Sequence, residues 1–509
     1  MTTPRLGIAG ALVFCVALVF LAMGNDRPAP ALSKRAAESA ALRDRVVRER
    51  FDGRAYDHVR TTALDHRLTR VSFFEGHKIV LEAAVAPSGR VTNVLPYAEG
   101  YVRVGSGIGQ RLPVLGALAA LFLLAVLRLP LRRIENLDAL ALAGFCAPIV
   151  LLNERLLGLS VVTAAALLAY LLVRCLHVAL RRDEPRAAGG WLADRLSPWA
   201  FACCTIGVVG ALVLISIPGG SVSDVGYASM AGATGMLHGV LPYGHLVQGE
   251  LVHGDTYPLL AYAAYVPAAL IAPVKNGFDN LDGALWSACA FALVAAAAIA
   301  YAARDSGSRR LRPALALLAF PPVMVAASSG SNDLVAAALV ALAVAFATRP
   351  GRSSFALAAA GFVKLAPLAL LPIWIADRRR SRAVIAVAVA AGIVTAATLA
   401  LGGGGGFERM LGAISFQAER GSLLSPWTLF DIRGAQLAFQ AALVAGIVVA
   451  SVTVWRDRSF AADPRRFAAL GAAVLLAVQL AANYWTYAYL PWVFPFLALA
   501  LLSAPRRLT

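Results

Sequence analysis

Charge is what this sequence has least of. Only 15% of its 509 residues are Asp, Glu, Lys or Arg, against about 25% in an ordinary soluble protein, which excludes a single soluble globular chain. The shortfall is concentrated in runs of about 20 apolar residues, the length that crosses a hydrocarbon core of about 30 Å. No water reaches a segment there, so its backbone must satisfy itself, and each run reads as a helix. Cysteine is scarce too. Cys15, Cys146, Cys175, Cys203, Cys204 and Cys289 all fall within apolar runs and form no Cys-x-x-Cys. That pattern excludes a disulfide framework and a thiolate metal site. His238, His245 and His253 lie seven and eight residues apart, unlike the His-x₃₋₅-His of a metal site. The glycine run 402–406 has no Lys-Ser/Thr after it and reads as a flexible connector, not a phosphate loop. No metal and no other cofactor is expected.

What is plentiful is arginine, and its placement decides what the net charge of +17 means. Arg132/Arg133, Arg181/Arg182, Arg309/Arg310, Arg378/Arg379/Arg380, Arg465/Arg466 and Arg506/Arg507 sit in short clusters between apolar runs. Short cytoplasmic loops hold the Lys/Arg excess of membrane proteins, so the charge points to topology and not to nucleic acid.

Crossings are expected at residues 6–23, 112–130, 137–152, 156–180, 198–218, 283–303, 313–327, 334–348, 353–363, 365–375, 383–401, 435–455, 467–484 and 487–503. These fourteen put both termini and every arginine cluster on the cytoplasmic side. The first is read as an uncleaved anchor in preference to a signal peptide. Residues 259–274 are apolar enough to cross, but counting them would move Arg309/Arg310 outside. They are expected to re-enter or lie at the outer interface, bent by Pro267 and Pro273.

Residues 24–111 are polar. A helix is expected over 32–51, continuing less clearly toward 63, then strands at 68–74, 78–85 and 91–96, with Pro87-Ser88-Gly89 as a turn. The fold class is thus an all-α polytopic membrane protein of about 14 transmembrane helices with a small α+β extracytoplasmic domain near the N-terminus. Its expected units are an anchor (1–23), the α+β module (24–111), accessory helices (112–196) and a membrane core (197–509).

Three outer regions remain, at 219–258, 328–333 and 402–434. The first has no Lys or Arg but carries Asp224, Glu250 and Asp255. Asp224 follows a membrane exit closely and reads either as a general base for a hydroxyl nucleophile or as a helix cap. Asp333 orients an acceptor or caps its helix. Lys364, between two apolar segments, is a functional candidate by default unless it snorkels to the interface. Tyr484, Trp485, Tyr487 and Tyr489 read as an interfacial aromatic belt.

These residues also carry a resemblance. Asp224…Tyr227…Gly239-Val240-Leu241-Pro242-Tyr243, then Asp255-Thr256-Tyr257-Pro258-Leu259, resembles the first outer loop of GT-C membrane glycosyltransferases. It is similar in particular to glycosyltransferase family 87, the polyprenyl-phosphate-mannose-dependent α-mannosyltransferases. The family's second proline is replaced here by Leu259. Asn332-Asp333, Gly361-Phe362-Val363-Lys364-Leu365-Ala366-Pro367 and Phe416-Gln417-Ala418-Glu419-Arg420-Gly421 continue the likeness over about 198–503, without the family's late histidine. Residues 24–111 resemble a PepSY-type module.

The resemblance implies a GT-C-like core and an inverting hexosyltransferase. Its donor is a polyprenyl-phosphate-linked sugar, most readily mannose, and its acceptor an extracytoplasmic glycan or glycolipid within reach of the membrane lipids. Asp224 is then the base. Tyr227, Tyr243, Tyr257 and Asp333 bind substrate, and Lys364 and Arg420 hold the lipid-linked phosphate. The alternatives are a transporter or flippase of lipid-linked glycans, or a sensor built on the outer module.

Overall fold

The computed structural model describes residues 32–502, apart from residues 52–54, 66–67, 77, 97–108, 110, 154–155, 182–189, 221, 244–254, 275–280, 304–310, 377–379, 420–421, 423, 431, 458–459 and 461–462. The expected anchor at 6–23 lies outside the described residues.

The polar module opens with helix Lys34–Arg43, capped by the Ser33 hydroxyl accepting from the Ala36 N–H at 3.2 Å. Helix Arg45–Phe51 follows. Four antiparallel strands come next in sequence order: β1 (His58–Asp65), β2 (Leu68–Glu75), β3 (Lys78–Val85) and β4 (Val91–Pro96). Alternation along β2 and β3 sends Val71, Phe73, Leu81, Ala83 and Val85 to one face, where they bury against Ala37, Ala41 and Val47 of the helices. The sequence reading expected three strands and missed β1, whose residues it left as a fading helix. The run Val59-Arg60-Thr61-Thr62 is β-branched at three of four positions, which suits a pleated ladder more than a helix.

Among the described residues, seven helices are long and apolar enough to cross a membrane: Ile134–Asn153, Leu157–Leu180, Pro198–Gly219, Asp282–Ala302, Ser381–Ser415, Gly434–Arg456 and Pro464–Ala481. An eighth forms if Leu311–Ala319 and Pro321–Ser328, bent by 60°, count as one span. Pro321 and Pro322 have no N–H to continue the ladder, which accounts for the break. The count of fourteen is not reached among the described residues. Several expected crossings are shorter helices, including Leu112–Val126, Asp333–Ala345, Ala366–Ala376 and Tyr487–Leu502. Hydropathy registers an apolar run but not whether the chain turns back halfway. Residues 259–274 form two short helices, Leu260–Ala263 and Val266–Ile271, neither long enough to cross.

The Pro464–Ala481 helix packs along Leu157–Leu180, so the accessory helices and the core share one interior. One buried charge pair in it is closed by direct bonds. Arg174 donates to both carboxylate oxygens of Asp138 at 2.7 and 2.9 Å, and the Tyr170 hydroxyl adds a third bond. By contrast, helices Pro198–Gly219, Ser381–Ser415 and Gly434–Arg456 are mostly uncovered and present Ile206, Leu214, Ile385, Ile393, Leu437, Val444 and Val449 outward. So large an apolar surface is costly in water and unremarkable in lipid, and the protein is a membrane protein.

The glycine run does not act as a connector. It lies within Arg380–Glu419, where Gly403 breaks the helix at φ 60. A Cβ at Gly402 would stand 2.0 Å from Leu241 Cδ1, and one at Gly406 2.6 Å from the same atom. The missing side chains let the loop after helix Asp224–Leu237 seat Leu241 against this bend.

Candidate active site

Two of the expected outer regions meet at the turn between helices Pro321–Ser328 and Asp333–Ala345. Gly330 takes φ +65 there, a conformation in which a side chain is strained. The Ser329 carbonyl accepts from the Ser223 N–H at 2.9 Å and the Ser223 hydroxyl at 3.0 Å. The Gly330 carbonyl accepts from the Tyr265 hydroxyl at 3.0 Å. Asn332 Nδ2 donates to Ser229 Oγ at 3.3 Å. The turn is thereby fixed to the first two turns of helix Asp224–Leu237.

Asp224 is the first residue of that helix, and Ser223 caps it by accepting from the Gly226 N–H. The cap role open to Asp224 therefore falls to Ser223. Asp224 is half-buried. Tyr227, one turn on, is half-buried against the main core.

Asp333 and Lys364 form the site's ion pair, with Nζ 3.5 Å from Oδ1 and side-chain exposures of 8% for the lysine and 2% for the aspartate. The other carboxylate oxygen accepts from the Ser331 hydroxyl at 2.5 Å. Asn332 makes no side-chain cap bond; Asp333 spends its carboxylate on Ser331 and Lys364, which leaves no room for the cap reading. Lys364 does not snorkel. Its ammonium lies 4.3 Å from the centre of the Tyr257 ring and 5.4 Å from that of Tyr489, close enough for cation–π attraction.

Tyr257 is held from both sides. Its carbonyl accepts from the Tyr243 hydroxyl at 3.0 Å, and its N–H donates to the Tyr262 hydroxyl at 3.1 Å. Tyr243 is fully buried, so it props Tyr257 from within the core. Burial, with the Asp255 carboxylate adding, pushes the Tyr243 phenol well above its ordinary range, and it remains a donor.

Arg420 lies outside the described residues. The loop beyond it is sewn to the segment after helix Pro464–Ala481: Ser422 Oγ donates to the Trp485 carbonyl at 3.0 Å, Ser425 Oγ to Ala482 at 2.8 Å and Thr428 Oγ1 to Asn483 at 3.2 Å. The aromatic belt reading is corrected here. Trp485 and Tyr487 are buried, Trp485 Nε1 donating to Gln479 at 3.0 Å and the Tyr487 hydroxyl bonding Ser160 and the Pro148 carbonyl. Tyr489 faces Lys364. Sequence reasoning missed Ser331, Tyr489 and the ion pair itself; a lysine among apolar residues needs an acid, and Asp333 was the nearest on that side. His238 bonds the Thr234 carbonyl, His245 and His253 lie outside the described residues, and among the described residues no three metal-ligating side chains converge.

Residues 256–482 match the family model of glycosyltransferase family 87. Tyr257, Asp333, Lys364 and Arg420 fall within the match, while Asp224, Tyr227 and Tyr243 precede it; the polar module lies outside it, and no family model supports the PepSY-type resemblance expected there. No curated protein and no solved structure matches the chain.

Proposed function

We propose that this chain, whose residues 256–482 match the family 87 model, is a membrane glycosyltransferase that transfers a hexose from a polyprenyl-phosphate donor to an extracytoplasmic glycan or glycolipid. Mannose is the sugar we favour. The observation that carries this reading is the buried Lys364 ammonium, fixed by Asp333 and Tyr257 beside the helix that begins with Asp224. A cation held in place before the reaction stabilises charge that develops on a leaving phosphate without reorganising at that moment.

In the proposed step Asp224 takes the proton of the acceptor hydroxyl. The freed oxygen attacks the anomeric carbon from the face opposite the phosphate. The bond from that carbon to the phosphate oxygen breaks with its electron pair, leaving polyprenyl phosphate and an inverted glycosidic bond. Lys364 and Arg420 receive the phosphate charge. Asp333 is a positioning residue that keeps Lys364 aimed.

Helix length supports a lipid-linked donor. Asp333–Ala345 has 13 residues and Pro350–Gly361 has 12, about 20 Å at 1.5 Å per residue. Both are shorter than a hydrocarbon core of about 30 Å, so a hairpin of this length ends within the bilayer, where a headgroup attached to an acyl chain is the natural substrate.

The test is full-length protein in liposomes with host lipid extract and a panel of radiolabelled polyprenyl-phosphate sugars and nucleotide sugars. Label passing into a new glycosidic bond from a polyprenyl-phosphate hexose is the expected result. Transfer from nucleotide sugars alone would overturn the donor assignment.

A further inference from the structure

The turn that begins helix Asp333–Ala345 holds a buried amide that the ion pair does not use. Asn332 is wholly buried. It stands just before the first residue of that helix, yet its side chain makes no cap bond. Its Nδ2 donates instead to Ser229 Oγ at 3.3 Å. Among the described residues, no N–H or O–H donates to its Oδ1.

The amide is fixed in that sense. The Ser229 hydroxyl gives its proton to the Val225 carbonyl at 2.8 Å, so Ser229 Oγ has only lone pairs to offer Asn332. Turning the amide over would set two acceptor oxygens against each other. A buried acceptor without a donor is costly and demands an explanation. The next residue has one of the same kind. Asp333 Oδ1 lies 3.5 Å from the Lys364 ammonium but receives no hydrogen bond among the described residues. Two consecutive residues thus present acceptor oxygens that the described residues do not fill. The complement of such a pair is a group that brings O–H donors, which a phosphodiester and an acyl chain lack.

We propose that Asn332 Oδ1 accepts from one hydroxyl of the donor's hexose and so reads the sugar. The proposal rests on the reading of Lys364 as the partner of the donor phosphate. The hexose hangs directly from that phosphate, and Asn332 is the chain neighbour of the residue that holds Lys364, consecutive Cα atoms standing about 3.8 Å apart. Selectivity follows from the unfilled acceptor. A site built to bond a hydroxyl rejects the analogue that lacks it, because its own buried oxygen is then left unpaired. A bound water would fill the same oxygen, and the test separates the two.

Competition binding tests it. Immobilised full-length protein in detergent micelles retains radiolabelled polyprenyl-phosphate mannose, and unlabelled monodeoxy analogues, each lacking a different hydroxyl, displace it. One analogue is expected to bind wild type about tenfold more weakly than the parent. Asn332→Leu should bind the parent and that analogue alike, with its penalties for the other analogues as in wild type. Its thermal unfolding midpoint, read without donor, should equal or exceed that of wild type, because the unfilled acceptor goes with the amide. Ser229→Ala removes only the bond that aims the amide. It should shrink the same penalty, and it stands in if Asn332→Leu fails to fold. Penalties unchanged in both variants overturn the proposal and leave Oδ1 to water. Penalties that shift equally for every analogue make Asn332 a structural residue and overturn it too. Glycosidic bond formation is followed in parallel in liposomes. Transfer with unchanged penalties sinks the sugar-reading role alone, whereas an Asn332-dependent penalty without transfer sinks the transferase reading and keeps the binding role. No retention by wild type overturns both.

Discussion

The Lys364 ammonium is held 3.5 Å from the Asp333 carboxylate, across a hairpin of two short helices and under the face of Tyr257. Neither charge has water to fall back on, so each depends on the other. Breaking such a buried pair by removing one partner costs about 3–5 kcal/mol. Asp333→Leu and Lys364→Met should each lower the thermal unfolding midpoint of the purified protein. The double variant Asp333→Leu/Lys364→Met should recover most of the loss while remaining inactive. Recovery of transfer along with stability would remove Lys364 from the mechanism.

Tyr257 acts through its ring. Tyr257→Leu removes a cation–π contact worth about 0.5–2 kcal/mol and is expected to raise KM for the donor more than it lowers kcat. Tyr243→Phe, which only deletes the bond to the Tyr257 carbonyl, should cost about 0.5–1.5 kcal/mol of stability with a smaller kinetic effect. Steady-state kinetics on both variants check the order.

The Gly402 and Gly406 contacts with Leu241 give a packing prediction. Gly402→Ala places a methyl carbon 2.0 Å from Leu241 Cδ1, and Leu241 is buried. Overpacking of this kind costs about 1–3 kcal/mol. The double variant Gly402→Ala/Leu241→Ala should be more stable than the sum of the two single changes implies, because the clash disappears with the leucine. A double-mutant cycle on thermal unfolding reads this directly, and simple additivity would refute the contact.

The long apolar helices were legible because hydropathy alone determines them: expected at 156–180, 198–218 and 435–455, they are found at Leu157–Leu180, Pro198–Gly219 and Gly434–Arg456. The segments around the site were not, since Asp333–Ala345 and Pro350–Gly361 are apolar like spans but turn back at half length. The candidate chemistry was legible as single residues, Asp333 and Lys364 among them. Their pairing was not, because it depends on that hairpin. Trp485 and Tyr487 show the same limit: an aromatic near a membrane end looks alike in sequence whether it meets lipid headgroups or, as here, buried acceptors.

The central claim rests on Asp224 as the base, and the most direct test is the transfer rate of Asp224→Asn against wild type under saturating donor and acceptor in liposomes. Both proteins would first be shown to insert equally and to unfold at the same temperature. An amide cannot take the acceptor proton, so the account predicts a fall in kcat of about a hundredfold or more with little change in donor KM. Transfer that survives the substitution within a few fold would contradict it, and the base would have to be sought among the other acids of the outer regions.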